Sequence, residues 1–262
     1  MYYLSIITVA YNNKEGLIRT RDSILPLPDN CEWIIIDAAS SDGTKEEILE
    51  KLPKQKNIKW LSESDKGIFD GMNKGITLSN GKYLNFMNSG DFYNRSVFED
   101  ICNTEPNDAD VIMYDCITVD IDNNQGYARQ FPKSIDELKK WACVQHQSTL
   151  LHYKIFNKLG KYNLNYSYLS DYEHSVKAYL DDNISFVLHA DIKLAYFLQD
   201  GVSTNLKTVS KVSEEYRSIQ KKYFGSFSKK LYMTHLVKIF ISFLPKSEFI
   251  GKILRKIILN KR

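Results

Sequence analysis

Between residues 1 and 91, short apolar runs alternate with helical patterns, and a polar cluster closes every run. This repetition constrains the fold more than any other feature of the chain. Tyr3–Val9 reads as a buried strand, Tyr11–Lys14 as a polar turn, and the segment to Ile24 as a helix ended by Pro26 and Pro28. Trp33–Ile36 is a second strand, after which Ser40–Thr44 offers hydroxyls to cap a helix over Lys45–Leu52. Ile58–Leu61 is a third strand, Gly67–Ser79 a helix with Ile68, Met72 and Ile76 on one face, and Tyr83–Met87 a fourth strand. Strand and helix in repetition predict an α/β fold whose parallel sheet is covered on both faces. Ligands of such sheets bind beyond the carboxyl ends of the strands. The polar residues stand there: Thr8 to Tyr11, Asp37, Asp65-Lys66-Gly67, and Asn88 to Asp91. Asp37, Asp65 and Asp91 then converge on one crevice, while Asp42 reads as a turn or cap residue. No GxGxxG follows the first strand and no P-loop pattern occurs, so dinucleotide and P-loop phosphate cradles are unsupported.

The second half is mixed. Val111–Tyr114, Ile117–Ile121 and Tyr127–Phe131 read as strands, the last two as a hairpin. Ser134–Trp141 is a short helix with Ser134 as its cap, and His146–Thr149 opens another apolar run. Ser170, as N-cap, opens a helix to about Leu180. Ile184–Leu188 and Leu194–Phe197 are strands, Gln199–Ser203 is a turn-rich loop, and the pattern beyond is helical with breaks near Gly225 and Pro245.

With 43% hydrophobic and 26% charged residues, the 262-residue chain has globular composition, fit for one large domain or one domain with an appendage. Cys31, Cys102, Cys116 and Cys143 lie far apart with no CxxC pair, which excludes a zinc ribbon and points to buried core thiols. The chain enters an apolar strand almost at once, without the regions of a signal peptide, so a cytoplasmic protein is expected. No uncharged apolar stretch of about 18 residues predicts a spanning helix. Charge is divided unevenly. Residues 229–262 carry nine Lys or Arg and a single acid, Glu248, a net +8 within a total of +3. The body is mildly acidic and the tail strongly basic.

The strand-end residues, taken in order, match a known pattern. Ile6-Ile-Thr-Val-Ala-Tyr-Asn12, Ile35-Ile-Asp37 running to Thr44, Asp65-Lys-Gly-Ile-Phe-Asp-Gly-Met-Asn-Lys-Gly-Ile76, Gly81 to Asn88-Ser-Gly-Asp91, and Ser170-Asp171-Tyr-Glu173 together resemble family 2 glycosyltransferases, most closely their bacterial capsule and exopolysaccharide branch. The resemblance covers roughly residues 1–200. It implies the GT-A fold: a Rossmann-like, mostly parallel sheet with flanking helices, followed here by a C-terminal helical, basic tail. The domain division it suggests is 1–204, with a donor half at 1–91 and an acceptor half at 92–204, and an extension at 205–262.

The implied chemistry is inverting transfer of a hexosyl or N-acetylhexosaminyl group from a nucleotide-sugar donor, a UDP-sugar by expectation, to a saccharide acceptor. Tyr11 can stack on the base, Asp37 can accept its N–H, and backbone around Thr8 can meet its edge. Asp65 and Lys66 face the nucleotide in the family, and Lys66 can approach the diphosphate as a point charge. A solvated loop lysine is the plain alternative. The family commonly holds Mg2+ or Mn2+ on an Asp-x-Asp after the fourth strand. Here those positions are Asn88 and Gly90, which leaves Asp91 as the expected metal ligand, with Asn88 as an amide contact and a third ligand such as His189 or His146 unassigned. Asp171 matches the family's base. A carboxylate at a helix N-terminus stays ionised and ready to take a proton, although the same placement also suits an ordinary helix-end acid. Glu173 is the substitute candidate. His146-Gln147 resembles the acceptor-side segment, and Asp200–Ser203 a loop that closes over the diphosphate.

The tail fits the same picture. In Phe249–Leu259, Ile253, Ile257 and Ile258 share a face flanked by Lys252, Arg255 and Lys256, as in helices that lie on anionic membranes. Capsule acceptors are usually sugars on undecaprenyl diphosphate, which places the expected protein at the inner face of the plasma membrane. A structural cap or a dimer contact is the alternative for the tail. No nucleic-acid motif accompanies the basic charge. Two other functions remain open on sequence: a sugar-nucleotide nucleotidyltransferase, disfavoured because Ala10–Lys14 is not a glycine-rich basic loop, and a non-catalytic nucleotide-sugar-binding scaffold, suggested by the lost Asp-x-Asp.

Overall fold

The computed structural model describes residues 1–120, 125–128, 130–198, 208–228 and 233. Its first half is β1 (Tyr2–Ala10), α1 (Lys14–Ile24), β2 (Cys31–Asp37), α2 (Thr44–Glu47), β3 (Ile58–Ser62), α3 (Ile68–Leu78) and β4 (Gly81–Phe86). The four strands lie parallel in the order β3-β2-β1-β4. β1 is buried at every position after Tyr2 and β2 at every position, as continuous apolar strands covered on both faces must be. The helix expected over Lys45–Leu52 is shorter: α2 is a single turn, followed by a 3₁₀ turn at Leu49–Lys51. Its N-cap is Gly43, which has no side chain to offer, and the Asp42 carboxylate just before it takes the place expected of a hydroxyl. Asp42 accepts the Thr44 N–H at 3.1 Å and the Lys14 N–H at 2.9 Å, so one side chain closes the starts of α1 and α2.

The second half contains β5 (Phe92–Tyr93), α4 (Arg95–Thr104), β6 (Val111–Asp120), β7 (Gln125–Ala128), β8 (Thr149–His152), α5 (Tyr153–Leu159), α6 (Ser170–Tyr179), β9 (Phe186–Leu198) and α7 (Val209–Phe224). It extends the sheet as β4-β8-β6-β9-β5, with β7 on β6. Only β6 and β9 are parallel here; β4/β8, β6/β8, β5/β9 and β6/β7 are antiparallel. The mostly parallel character thus belongs to residues 1–91, because antiparallel partners need no crossover helix. The two strands expected at 111–121 are one strand, β6, whose register with β9 shifts between Tyr114 and Cys116. Likewise Ile184–Leu188 and Leu194–Phe197 join in β9.

Helix and sheet approach closely at Gly75 of α3, where a Cβ would stand 2.4 Å from Ile7 Cγ2. Only glycine lets α3 settle on β1 at that distance. All four cysteines are buried and free, as their spacing predicts. α7 packs on α6 through Tyr216 stacked on Tyr172 (centroids 5.1 Å apart) and through Ile219 and Val212 in one cluster with Val176 and Leu138. Among the described residues no helix is long and apolar enough to cross a membrane.

Candidate active site

The carboxyl ends of β1 to β4 open on one side of the sheet. Tyr11 follows β1 and is 67% exposed. Thr8 is buried, and its hydroxyl oxygen accepts the Trp33 indole N–H at 2.9 Å, which leaves only the neighbouring backbone for a ligand. Asp37, wholly buried at the end of β2, accepts the Ser62 hydroxyl at 2.6 Å and both the hydroxyl and the N–H of Ser40 at 2.5 and 3.1 Å. Two carboxylate oxygens offer about four acceptor sites, and these bonds fill three of them. After β3, Asp65 accepts the Gly67 N–H at 2.9 Å and Lys66 is exposed.

The turn after β4 is held from α1. Thr20 Oγ1 accepts the Gly90 N–H at 3.0 Å and donates to Asp91 O at 2.7 Å. From within β4, the buried Asn85 side chain reaches across to the second half of the chain. Its Nδ2 donates to the carbonyls of His146, Gln147 and Thr149 at 3.0, 3.1 and 2.9 Å, and its Oδ1 accepts the Tyr93 hydroxyl. This fixes the 3₁₀ turn His146–Ser148 beside the 88–91 turn. Gln147 Nε2 then donates to Asp91 Oδ2 at 2.9 Å, and His146 lies between Asn88 and Asp171.

That last contact joins the two halves. Asn88 Nδ2 is 2.9 Å from His146 Nε2, and His146 Nδ1 is 3.1 Å from Asp171 Oδ2. An amide nitrogen only donates, so Nε2 carries the ring's lone pair; Nδ1 then holds the proton and donates to Asp171. Asp171 also accepts the N–H of Tyr172 at 2.8 Å, and its side chain stays 23% exposed. It is the second residue of α6. The cap position belongs to Leu169 rather than Ser170, whose hydroxyl is buried without a partner among the described residues. Glu173 is two residues on and so cannot share the face of Asp171. It is buried, bonded to the Tyr223 hydroxyl, with Lys222 at 3.8 Å and Lys177 at 4.0 Å, and it serves α7 rather than the crevice. Beneath Asp171 on α6, His174 stacks on Phe156 and donates from Nε2 to Gly160 O at 3.0 Å. Burial pushes its pKa down to about 4, so the ring is neutral.

A family model described as glycosyl transferase family 2 matches residues 5–173. The chain belongs to glycosyl transferase family 2. This family 2 glycosyltransferase is 27% identical over 188 residues to an uncharacterized glycosyltransferase of Mycobacterium tuberculosis, covering 68% of this chain and 69% of that protein. Over 99 residues it is 29% identical to TuaG of Bacillus subtilis, a protein provisionally assigned to teichuronic acid biosynthesis, with 37% and 39% covered. In fold it is similar to residues 1–349 of S. aureus TarS in complex with UDP-GlcNAc (TM-score 0.68, 16% identity, 98% of this chain and 79% of that one). It is also similar to the mannosyltransferase PcManGT of Pyrobaculum calidifontis in complex with GDP-Man and Mn2+ (TM-score 0.62, 12% identity, 99% and 70%).

The residues of this family 2 glycosyltransferase do not fit a divalent cation at the 88–91 turn. Both oxygens of Asp91 already accept protein N–H groups, from Gln147 and from Leu198 at 3.0 Å. Gly90 supplies no ligand, and its φ of +110°, with a Cβ site 3.2 Å from Leu198 Cδ1, disfavours an Asp there. The oxygen left over is Asn88 Oδ1, buried and without a partner among the described residues. A hard cation takes carboxylate, amide and water oxygens; here it would find one carboxylate already engaged and one amide oxygen, and among the described residues no three His, Cys, Asp or Glu gather as a ligand set. His189 stacks on Tyr114 and approaches Asp108 at 3.8 Å, away from the 88–91 turn. The expected loop Asp200–Ser203 and the tail 229–262, Met233 apart, lie outside the described residues. Sequence reading singled out His146 and Gln147 but not Asn85, which fixes them. An Asn inside an apolar strand was the available signal, since a buried amide must find partners.

Proposed function

We propose that the chain transfers a hexosyl or N-acetylhexosaminyl group, with inversion, from a UDP-sugar to a hydroxyl of a lipid-linked saccharide in the synthesis of capsule, exopolysaccharide or O-antigen. The observation that carries this reading is the Asn88–His146–Asp171 chain of contacts, which sets a partly exposed carboxylate against the strand ends where a nucleotide would lie. Asp171 takes the proton of the acceptor hydroxyl as that oxygen attacks the anomeric carbon and the nucleoside diphosphate leaves. The Nδ1–H of His146 holds the carboxylate in place, and a base so positioned contributes roughly 10²–10⁴-fold. Tyr11 covers one face of the uracil and Asp37 accepts its N3–H. Lys66 meets the diphosphate, and no step runs through a metal. TarS was solved with UDP-GlcNAc and PcManGT with GDP-Man, both nucleotide sugars, which supports the donor class.

On this reading residues 1–91 hold the donor and 92–204 the acceptor. The extension 205–262 ends in a basic tail that rests on the anionic inner leaflet and brings the enzyme to its lipid-linked acceptor. The test is a screen of UDP-, GDP- and dTDP-sugars for nucleotide release, with and without a chelator. Release from one UDP-sugar, lost in Asp171→Asn, is expected; a protein that binds nucleotide but never turns over is a scaffold.

A further inference from the structure

The family match ends at residue 173, yet the start of the helix that carries Asp171 is held from residue 215. α6 lacks a side-chain cap of its own: Leu169 occupies the cap position with no oxygen to offer, and the Ser170 hydroxyl bonds to nothing among the described residues. Unmet N–H groups at a helix start must find acceptors. Glu215 of α7 supplies one for Leu169 at the cap position and for the two residues ahead of it. Its Oε1 accepts the Ser167 N–H at 2.7 Å, and its Oε2 accepts the N–H groups of Tyr168 and Leu169 at 3.0 and 2.9 Å. Both oxygens are used on three consecutive amides, so the segment entering α6 can neither rotate nor slide without breaking several charge-assisted hydrogen bonds. α7 grips the same helix at further points: Tyr216 stacks on Tyr172, Gln220 bonds the Tyr172 hydroxyl at 3.1 Å, and Tyr223 bonds Glu173.

We propose that Glu215 is a positioning residue for the Asp171 base, its carboxylate closing the three amides of residues 167–169 and so fixing Asp171 against His146. This rests on the reading of Asp171 as the base. It makes α7 part of the catalytic architecture, although α7 lies in the extension and outside the family match. Misplacement of a catalytic group by about 1 Å lowers turnover by about 10²-fold.

The His146 imidazole reports on this directly, because its Nδ1 touches Asp171. Wild type, Glu215→Gln, Glu215→Asp and Asp171→Asn are labelled with ¹⁵N-histidine, and the His146 Nδ1 resonance is compared at one fixed pH, with turnover followed by nucleotide release from the same panel of nucleotide sugars. In Glu215→Gln the resonance is expected to move at least half-way to its Asp171→Asn position, and kcat to fall about tenfold with donor KM within twofold. Amide exchange at 167–171 should rise while peptides from β1 to β4 stay unchanged. Glu215→Asp keeps the charge and tests the same contact should the amide variant fail to fold; its resonance should move in the same direction by less. A His146 resonance that stays at the wild-type position in both Glu215 variants overturns the proposal. Full turnover in Asp171→Asn overturns the reading of Asp171 as base, a separate failure that the resonance comparison does not share.

Discussion

Acid should destabilise this protein through His174. The ring is 2% exposed, stacked on Phe156 with centroids 4.8 Å apart, edge-on to Tyr162, and committed by its Nε2–H to Gly160 O. A proton on the other nitrogen would be buried in that aromatic box, and the pKa falls from 6.5 to about 4, with desolvation as the leading cause. A depressed folded-state value means that the unfolded chain binds the proton first. The contribution is therefore complete above the unfolded value of 6.5 and is lost as pH falls through the window down to about 4. The whole shift is worth about 3 kcal/mol, and about 2 kcal/mol is already lost by about pH 5. That is a substantial part of the 5–15 kcal/mol by which domains are typically stable. His174→Gln keeps an N–H for Gly160 and removes the titration. Urea unfolding of both proteins at about pH 7.5 and about pH 5 measures the difference, and wild type should lose about 2 kcal/mol more than the variant. Parallel losses in the two proteins would refute the assignment of a buried neutral ring.

Other expected outcomes follow from the site. Asp171→Asn should keep nucleotide affinity and lose turnover by roughly 10²–10⁴-fold, measured by nucleotide release; near-wild-type turnover would move the base elsewhere. Since the 88–91 turn offers a cation one carboxylate, and each Asp91 oxygen already accepts a protein N–H, a chelator should leave most turnover intact, and complete loss under EDTA would show that the donor set has been misjudged. Deleting residues 229–262 should release the protein from anionic vesicles, because basic residues near such a surface contribute about 1 kcal/mol each. Equal vesicle binding before and after truncation would remove the tail from the account.

What was legible in the sequence follows the range of the signals involved. The alternation of residues 1–91 is local, so β1 to β4, α1 and α3 stand within a residue or two of their expected places. The strand-end residues were found for the same reason, since each follows its own apolar run. α4 and α5 were not anticipated. β5 is too short to show a period, and β9 carries polar residues such as Asp191 and Lys193 mid-strand that split its pattern in two. At the site, Asp171 and His146 could be named, but not their arrangement. The segment that leads into α6 is held by Glu215, and Glu173 answers to Tyr223, across separations that no local pattern encodes. Asp91 could be seen to survive from the Asp-x-Asp, but not that the Leu198 N–H and the Gln147 amide occupy both of its oxygens.

Asn85 bears on how such enzymes could be recombined. The donor and acceptor halves proposed above invite exchange between relatives to graft one acceptor preference onto another nucleotide site, with a seam after Asp91. The buried amide lies upstream of that seam, yet it holds three carbonyls of the incoming segment and the hydroxyl of Tyr93. A hybrid joined there inherits its key from one parent and its lock from the other. Where the parents differ at residue 85, the amide's partners face a side chain that cannot answer them, and each buried polar group left unmet costs about 1–3 kcal/mol. The productive seam lies ahead of β4, so that residue 85 travels with the 146–149 turn it fastens.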